Sequence, residues 1–77
     1  MEYQEYRNSV KRELKPYLDV YKLSDGEFED FLNREETIIK ERYSMCLEAI
    51  EQGEMTAEQM EYGSVGSTAY CLSMLFE

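Results

Sequence analysis

Residues 24–53 read SDGEFEDFLNREETIIKERYSMCLEAIEQG, and this stretch decides the fold. Ser24 and Glu27 form a capping box, in which each side chain accepts a hydrogen bond from the other residue's backbone amide at a helix start. Apolar side chains then recur at helical spacing, at Phe28, Phe31, Leu32, Ile38, Ile39, Tyr43, Cys46, Leu47 and Ile50. Gly53 is the expected left-handed stop. The stretch predicts one long central helix of about 25 residues, which is about 37 Å.

Helices are also predicted on both sides of this stretch. In residues 2–23 the spacing of three or four residues between apolar side chains predicts an amphipathic helix kinked at a solvent-facing Pro16. Its expected inner face comprises Tyr3, Tyr6, Val10, Leu14, Tyr17 and Tyr21. A second capping box, Thr56 with Gln59, opens a third helix. Its expected inner face comprises Ala57, Met60, Ser64, Ser67, Thr68, Cys71, Leu72 and Leu75.

Two glycines leave the third helix open to two interpretations. Gly63 and Gly66 each weaken a helix by about 1 kcal/mol relative to alanine, so it either continues or breaks between them. No strand pattern or internal repeat accompanies the three helical segments. The sequence therefore predicts an all-α fold with one domain over residues 1–77. We expect a three-helix antiparallel bundle with a long central helix, completed by dimerisation.

Composition excludes several classes of protein. The chain has 77 residues, with 17 acidic and 8 basic side chains, no histidine and two cysteines. Without histidine, a His-based hydrolase is excluded, and two cysteines cannot form a zinc finger. A net charge of −9 repels phosphate backbones, so direct nucleic-acid binding is not expected. We predict no cofactor, no metal and no small-molecule substrate.

The start of the chain is charged, and no stretch provides the roughly 18 apolar residues that a membrane span needs. We therefore expect a cytoplasmic protein that makes no membrane contact. In that compartment Cys46 and Cys71 remain reduced, and both lie on apolar faces of predicted helices, so we interpret them as small core residues.

Charge is unevenly distributed along the chain. Residues 1–23 sum to +1, residues 24–53 to −6 and residues 54–77 to −4. Complementary solvated faces of an antiparallel helix pair account for this pattern. The acidic cluster of residues 25–30 lacks the spacing of a calcium loop and suits the first turn of a helix, where the helix dipole favours negative charge.

Glu35 and Arg42 fall inside the apolar stripe of the predicted central helix. A buried charge costs several kcal/mol unless it is paired and hydrogen-bonded, so we expect each residue to have a partner, with tyrosine hydroxyls of helix 1 as natural candidates. Three interpretations stay open: a satisfied structural pair, a polar element that sets the register of a dimer, or a functional polar pocket. Acid–base catalysis would need two carboxylates of raised pKa, and the stripe supplies one, so no enzyme is predicted.

The uncharged end of the chain is the strongest functional signal. Residues 62–76 carry no charged side chain, and a helix without charge is usually buried on more than one side. A chain this short offers little material to cover it twice. We therefore predict a non-catalytic interaction or regulatory module that forms a homodimer or binds an obligate protein partner. The predicted interface residues are Tyr62, Val65, Tyr70, Met74 and Phe76.

The alternative function is an acidic inhibitor. In this interpretation the surface of the central helix imitates nucleic acid and docks on a basic groove of a partner protein. The residues that would form this surface are Asp25, Glu29, Asp30, Glu36 and Glu51.

Three features carry a resemblance: the ending AYCLSMLF at residues 69–76, the Glu-rich segment 33–48 and the tyrosine-rich start. Together they resemble small acidic helical proteins of bacterial mobile elements and prophages. Such proteins include inhibitors of host defence systems, so the resemblance adds to the alternative function. It implies a role for no particular residue.

Overall fold

The computed structural model describes residues 1–76, and each regular element in that range is helical. Helix α1 spans Tyr3–Leu18, a 3-10 turn covers Asp19–Tyr21, α2 spans Asp25–Arg34 and α3 spans Glu36–Glu51. Then come α4 (Ala57–Gln59), a π-helical segment (Met60–Ser64) and α5 (Val65–Leu75), without a gap between them. We call residues 57–75 the C-terminal segment. The predicted all-α class is confirmed, and Glu77, the last residue of the predicted domain, lies outside the described residues.

Both predicted capping boxes are present. Ser24 Oγ accepts from the Glu27 amide at 3.2 Å, and Glu27 Oε1 accepts from the Ser24 amide at 3.0 Å. Thr56 and Gln59 repeat this exchange at 3.1 and 2.8 Å. Gly53 ends α3 with a φ of 76°, as the sequence predicts. Local sequence therefore sets where α2 and α4 begin and where α3 ends.

Helix α1 continues through Pro16, which is exposed as predicted. Its buried apolar side chains follow one another every four residues, at Tyr6, Val10, Leu14 and Leu18. Tyr17 and Tyr21 were expected on this inner face, but 50% and 51% of their surface is exposed. The inner face passes to Leu18 because a four-residue step drifts slowly around the 3.6-residue period of the helix.

The prediction of one long central helix is wrong. The helix stops at Arg34 and restarts at Glu36, and Glu35 between them has φ −101° and ψ 15°. The Ile38 amide donates to the Glu35 carbonyl at 3.1 Å, a tight turn with a three-residue step. Neither proline nor glycine marks the break in the sequence.

A buried arginine spans this break. Arg7 of α1 approaches Glu29 at 2.8 Å and Asn33 at 2.9 Å, both on α2. Its Nε also lies 3.6 Å from Glu36, the first residue of α3. Because one guanidinium contacts side chains before and after Glu35, it fixes the geometry of the corner from outside the helix pair.

The C-terminal segment stays helical, and the π segment changes its phase. The Val65 amide bonds to the Met60 carbonyl, five residues back, which adds one residue to a turn. Each residue after the insertion therefore lies at the angular position around the helix axis that the residue before it would otherwise have. The buried residues are Met60, Val65, Thr68, Ala69 and Leu72 rather than the predicted face that ends at Leu75.

Side-chain contacts define the directions of the helices. Arg7 meets Asn33 while Lys11 meets Glu29, so α1 and α2 are antiparallel. Tyr6 meets Ser64 and Tyr21 meets Phe76, so α1 and the C-terminal segment are parallel.

Helix α3 extends past the start of α1. Tyr43 donates to the Met1 carbonyl at 2.7 Å, so the second half of α3 lies beyond the first residue of the chain. There it faces α4 and the π segment alone. The chain is elongated, with principal extents of 40 × 18 × 18 Å. Among residues 1–76, no helix combines the length and apolar composition that crossing a membrane requires.

Candidate functional site

Five large side chains lie where the end of α1 and the 3-10 turn after it meet the end of α5. Tyr17 packs against Tyr70 with ring centroids 6.1 Å apart, and Tyr21 packs against Phe76 at 4.6 Å. Met74 lies one turn after Tyr70 on α5 and is 67% exposed. We call these five residues the aromatic strip. Phe76 also contacts the core residue Phe31 at 5.1 Å, which anchors the strip.

The strip lies on the part of the chain with the least negative charge. Residues 11–23 carry four basic and two acidic side chains, and residues 62–76 carry no charge. The two segments that supply the strip thus sum to +2 in a chain of net charge −9. Exposed aromatic and methionine side chains in such a patch have the composition of an interface core.

The structure places three of the five predicted interface residues together, namely Tyr70, Met74 and Phe76. Val65 is buried, with 2% of its surface exposed, because the π segment turns it toward the core. The prediction that Val65 is an interface residue is therefore wrong. Tyr62 is 78% exposed but stands in the π segment, two turns before Tyr70.

Sequence reasoning missed Tyr17 and Tyr21 as surface residues, because their spacing fits the inner face of α1. The signal that could have found them is the last turn of that helix. Leu18 continues the four-residue series of Val10 and Leu14, so the two tyrosines are displaced toward the edge.

A chain of polar side chains connects α1, α3 and the C-terminal segment. Arg42 donates from Nε to Thr68 Oγ1 at 2.6 Å, and the Tyr6 hydroxyl bonds both Thr68 and Ser64 at 2.9 Å. Cys46 Sγ donates to Ser64 Oγ at 2.9 Å, which completes the series. A tyrosine hydroxyl was expected to bond Arg42 directly. Instead, Thr68 bonds both Arg42 and Tyr6 and connects the two. We call these five residues the polar network.

Glu35 does not lie inside the core as expected, and Arg7 does. The Glu35 side chain is 23% exposed at the corner between α2 and α3, and its nearest cation is Arg34 at 3.9 Å. The charged residue inside the core is Arg7, which is 7% exposed. Its position, three residues before Val10 and seven before Leu14, was the available signal.

The predicted acidic surface is divided by the fold. Glu29 and Glu36 bind Arg7, and Glu29 also accepts from Lys11 at 2.9 Å, so neither carboxylate is free for a partner. Asp25, Asp30 and Glu51 are exposed, as predicted.

Two pKa values reflect the contacts of these carboxylates. The hydrogen bond from Lys11, followed by that from Arg7, lowers the pKa of Glu29. Burial, with a hydrogen bond to Glu36 at 2.8 Å, raises the pKa of Tyr3 to about 12.

A groove of about 540 Å³ lies between α3 and the C-terminal segment. Met45, Ala49 and Met55 supply its apolar walls. Arg42, Cys46, Ser64 and Ser67 supply polar groups, and Glu54 of the α3–α4 connection also lines the groove. Pockets of this size are typical of small-molecule sites.

Residues 1–76 contain few other groups that could bind a metal or react. No three histidine, cysteine, aspartate or glutamate side chains in this range are grouped to hold a metal. Both cysteines are free thiols, Cys46 buried and Cys71 partly buried. Comparisons with protein-family models, curated proteins and solved structures found no match. The resemblance to mobile-element proteins thus stays a prediction.

Proposed function

We propose that the chain is a non-catalytic interaction module that associates with a second copy of itself through the aromatic strip. The observation that carries the proposal is the exposure of Tyr17, Tyr21, Tyr70 and Met74, each half or more exposed while the rings pack on one another. A two-fold contact would place the same strip on both sides and complete the predicted helical bundle across the two chains.

Charge supports a second copy as the occupant. A chain of net charge −9 repels itself over most of its surface, and repulsion is weakest where the local charge is near zero or positive. The strip is such a place. The exposed carboxylates of residues 48–61 lie beyond the start of α1, and the strip lies at its other end. A contact through the strips therefore keeps those carboxylates of the two chains apart.

Sedimentation equilibrium of the wild-type chain and two variants tests this proposal. Tyr70→Glu places a charge inside the strip, and Ser44→Glu adds the same charge at an exposed position on α3. We expect wild type and Ser44→Glu to associate at micromolar to millimolar concentration, and Tyr70→Glu to remain at the 9.2 kDa monomer mass. A monomeric wild type throughout, or equal association of both variants, contradicts the proposal.

A second candidate function is the acidic inhibitor, now with a different surface. Residues 48–61 carry five acidic side chains and no basic one. All five carboxylates, Glu48, Glu51, Glu54, Glu58 and Glu61, are exposed. Such an end suits a basic groove that normally holds nucleic acid.

Salt separates the two candidates. Binding to a basic groove weakens steeply as ionic strength rises, while association of two chains of net charge −9 through the strip is not weakened, because salt screens their repulsion. Glu51→Gln with Glu58→Gln should weaken only the first, and Tyr70→Glu should weaken only the second. A pull-down at low and high salt with both variants distinguishes them.

A further inference from the structure

We infer that the groove binds a small amphiphilic monocarboxylate, with the carboxylate on Arg42 and the apolar chain along Met45, Ala49 and Met55. This site is separate from the aromatic strip and does not depend on self-association.

Arg42 is half-buried and has no carboxylate within ion-pair distance among residues 1–76. Its helix neighbours one turn away are Ile38, Ile39, Met45 and Cys46, and none of these can neutralise a cation. The opposing stretch 63–68 is uncharged. In a chain with 17 acidic side chains, the arginine in the groove meets only hydroxyl groups.

Those hydroxyls occupy one edge of the guanidinium. Nε donates to Thr68 at 2.6 Å and Nη2 donates to Ser67 at 2.9 Å. Arginine has five N–H donors in a planar fork, so Nη1 and the second hydrogen on Nη2 remain for a ligand. That outer edge matches the two oxygens of a carboxylate. Thr68 belongs to the polar network, which holds Arg42 in place before a ligand binds.

The walls define the rest of the ligand. Met45 and Met55 are flexible and polarizable, and Ala49 leaves room beside α3 for an aliphatic chain. A volume of about 540 Å³ suits a small molecule. Glu54 and Met55 of the α3–α4 connection also line the groove.

Glu54 sets a further restriction. Glu54 lines the same groove, past Met45 and Ala49 along the chain from Arg42. A second negative group at the far end of the ligand would therefore be repelled. The site selects one acidic head with an apolar tail and discriminates against a dicarboxylate of the same length.

Decanoate is the probe, with decanol, decanedioate and acetate as matched comparisons. Binding is followed by calorimetry and by amide chemical shifts on the wild-type chain. We expect decanoate to bind at least about tenfold more tightly than each comparison. Decanol lacks the charged hydrogen-bonding head, which contributes a factor of that size. Acetate lacks the apolar chain, and decanedioate brings a second negative group toward Glu54. Shifts should map to residues that line the groove.

Variants identify the head group's partner. Arg42→Gln should weaken decanoate at least about tenfold and leave decanol unchanged, while Arg42→Lys should retain only part of that discrimination, because an ammonium keeps the charge and loses the planar edge. Arg12→Gln, an exposed arginine on α1, should change neither. Ala49→Phe fills the groove and should weaken both ligands.

The proposal is overturned if decanoate and decanol bind equally to wild type, if no saturable decanoate binding occurs, or if the shifts map to the aromatic strip. A wild-type comparison alone yields each of these results, so the test remains decisive even where a variant does not fold.

Discussion

Tyr17 and Tyr70 pack edge to face with their ring centroids 6.1 Å apart, although 50% and 53% of their surfaces remain exposed. The contact ties the end of α1 to α5 from outside the core. Aromatic pairs of this kind stabilise by about 0.5–1.5 kcal/mol beyond their buried area. The same two rings thus hold the C-terminal segment and leave apolar surface available to another chain.

The Tyr6 hydroxyl offers the first test, because it joins α1 to the C-terminal segment inside the core. Tyr6→Phe removes both hydrogen bonds, to Ser64 and Thr68, and should lower the free energy of unfolding by about 1–1.5 kcal/mol. Tyr62→Phe removes a hydroxyl from a ring that is 78% exposed, and serves as the control. Urea denaturation measures both, and equal losses would contradict the role of the polar network.

Arg7 should contribute more than any other charged residue. Arg7→Met removes the cation that contacts Glu29, Asn33 and Glu36, and leaves two carboxylates without it. We expect a loss of about 2–4 kcal/mol, less than for a fully buried pair because Glu29 is partly exposed. Arg12→Met, at an exposed position of the same helix, should cost under about 0.5 kcal/mol.

Thermal unfolding distinguishes these two variants. A small domain loses about 4–8 °C for each kcal/mol, so Arg7→Met should unfold well below wild type. If it unfolds at the temperature of Arg12→Met, the corner between α2 and α3 does not depend on Arg7.

Alkaline pH tests the contact between Tyr3 and Glu36. Burial and the hydrogen bond to Glu36 raise the pKa of Tyr3 to about 12, against a usual value of 10.0. The folded chain therefore keeps this proton where the unfolded chain loses it. Its contribution to stability is complete below pH 10.0 and is lost as pH rises toward about 12.

Tyr3→Phe cannot ionise and should lose less stability than wild type across that interval. Chemical denaturation at a series of pH values measures the difference, and tyrosinate absorbance reports the titration itself. Parallel pH profiles for the two chains would mean that the folded and unfolded states bind this proton equally.

Two glycines should respond in opposite directions to alanine. Gly53 has a φ of 76°, where a side chain is strained, so Gly53→Ala should destabilise by about 1–2 kcal/mol. Gly66 lies in α5, and a Cβ built there meets nothing within 4 Å, so Gly66→Ala should stabilise by up to about 1 kcal/mol. The same sign for both variants in urea denaturation would contradict the assigned backbone geometry.

Features controlled by neighbouring residues could be predicted from the sequence. The two capping boxes and the glycine stop depend on contacts within a few residues, and each is present in the structure. The interaction surface at the uncharged end stays a prediction, and Tyr70, Met74 and Phe76 of the predicted set lie in the proposed strip.

Features controlled by distant contacts could not be predicted. The break at Glu35 is spanned by Arg7, which lies far away in sequence. The residues around Glu35 carry no helix-breaking signal. The π segment shifts the phase of α5 by one residue, so a face drawn at constant period placed Val65 outside and Leu75 inside. An assignment from periodicity assumes an uninterrupted helix. A single inserted residue rotates the later positions around the helix axis and moves some of them to another face.

Mixed-label NMR tests whether two copies of the chain meet through the aromatic strip. Chains with labelled Met74 methyl groups are mixed with unlabelled chains, and only contacts between chains are recorded. We predict intermolecular cross-peaks from the Met74 methyl to the rings of Tyr17, Tyr21 and Tyr70, absent in Tyr70→Glu. An associated sample without these cross-peaks, or a chain that stays monomeric at millimolar concentration, would contradict the claim.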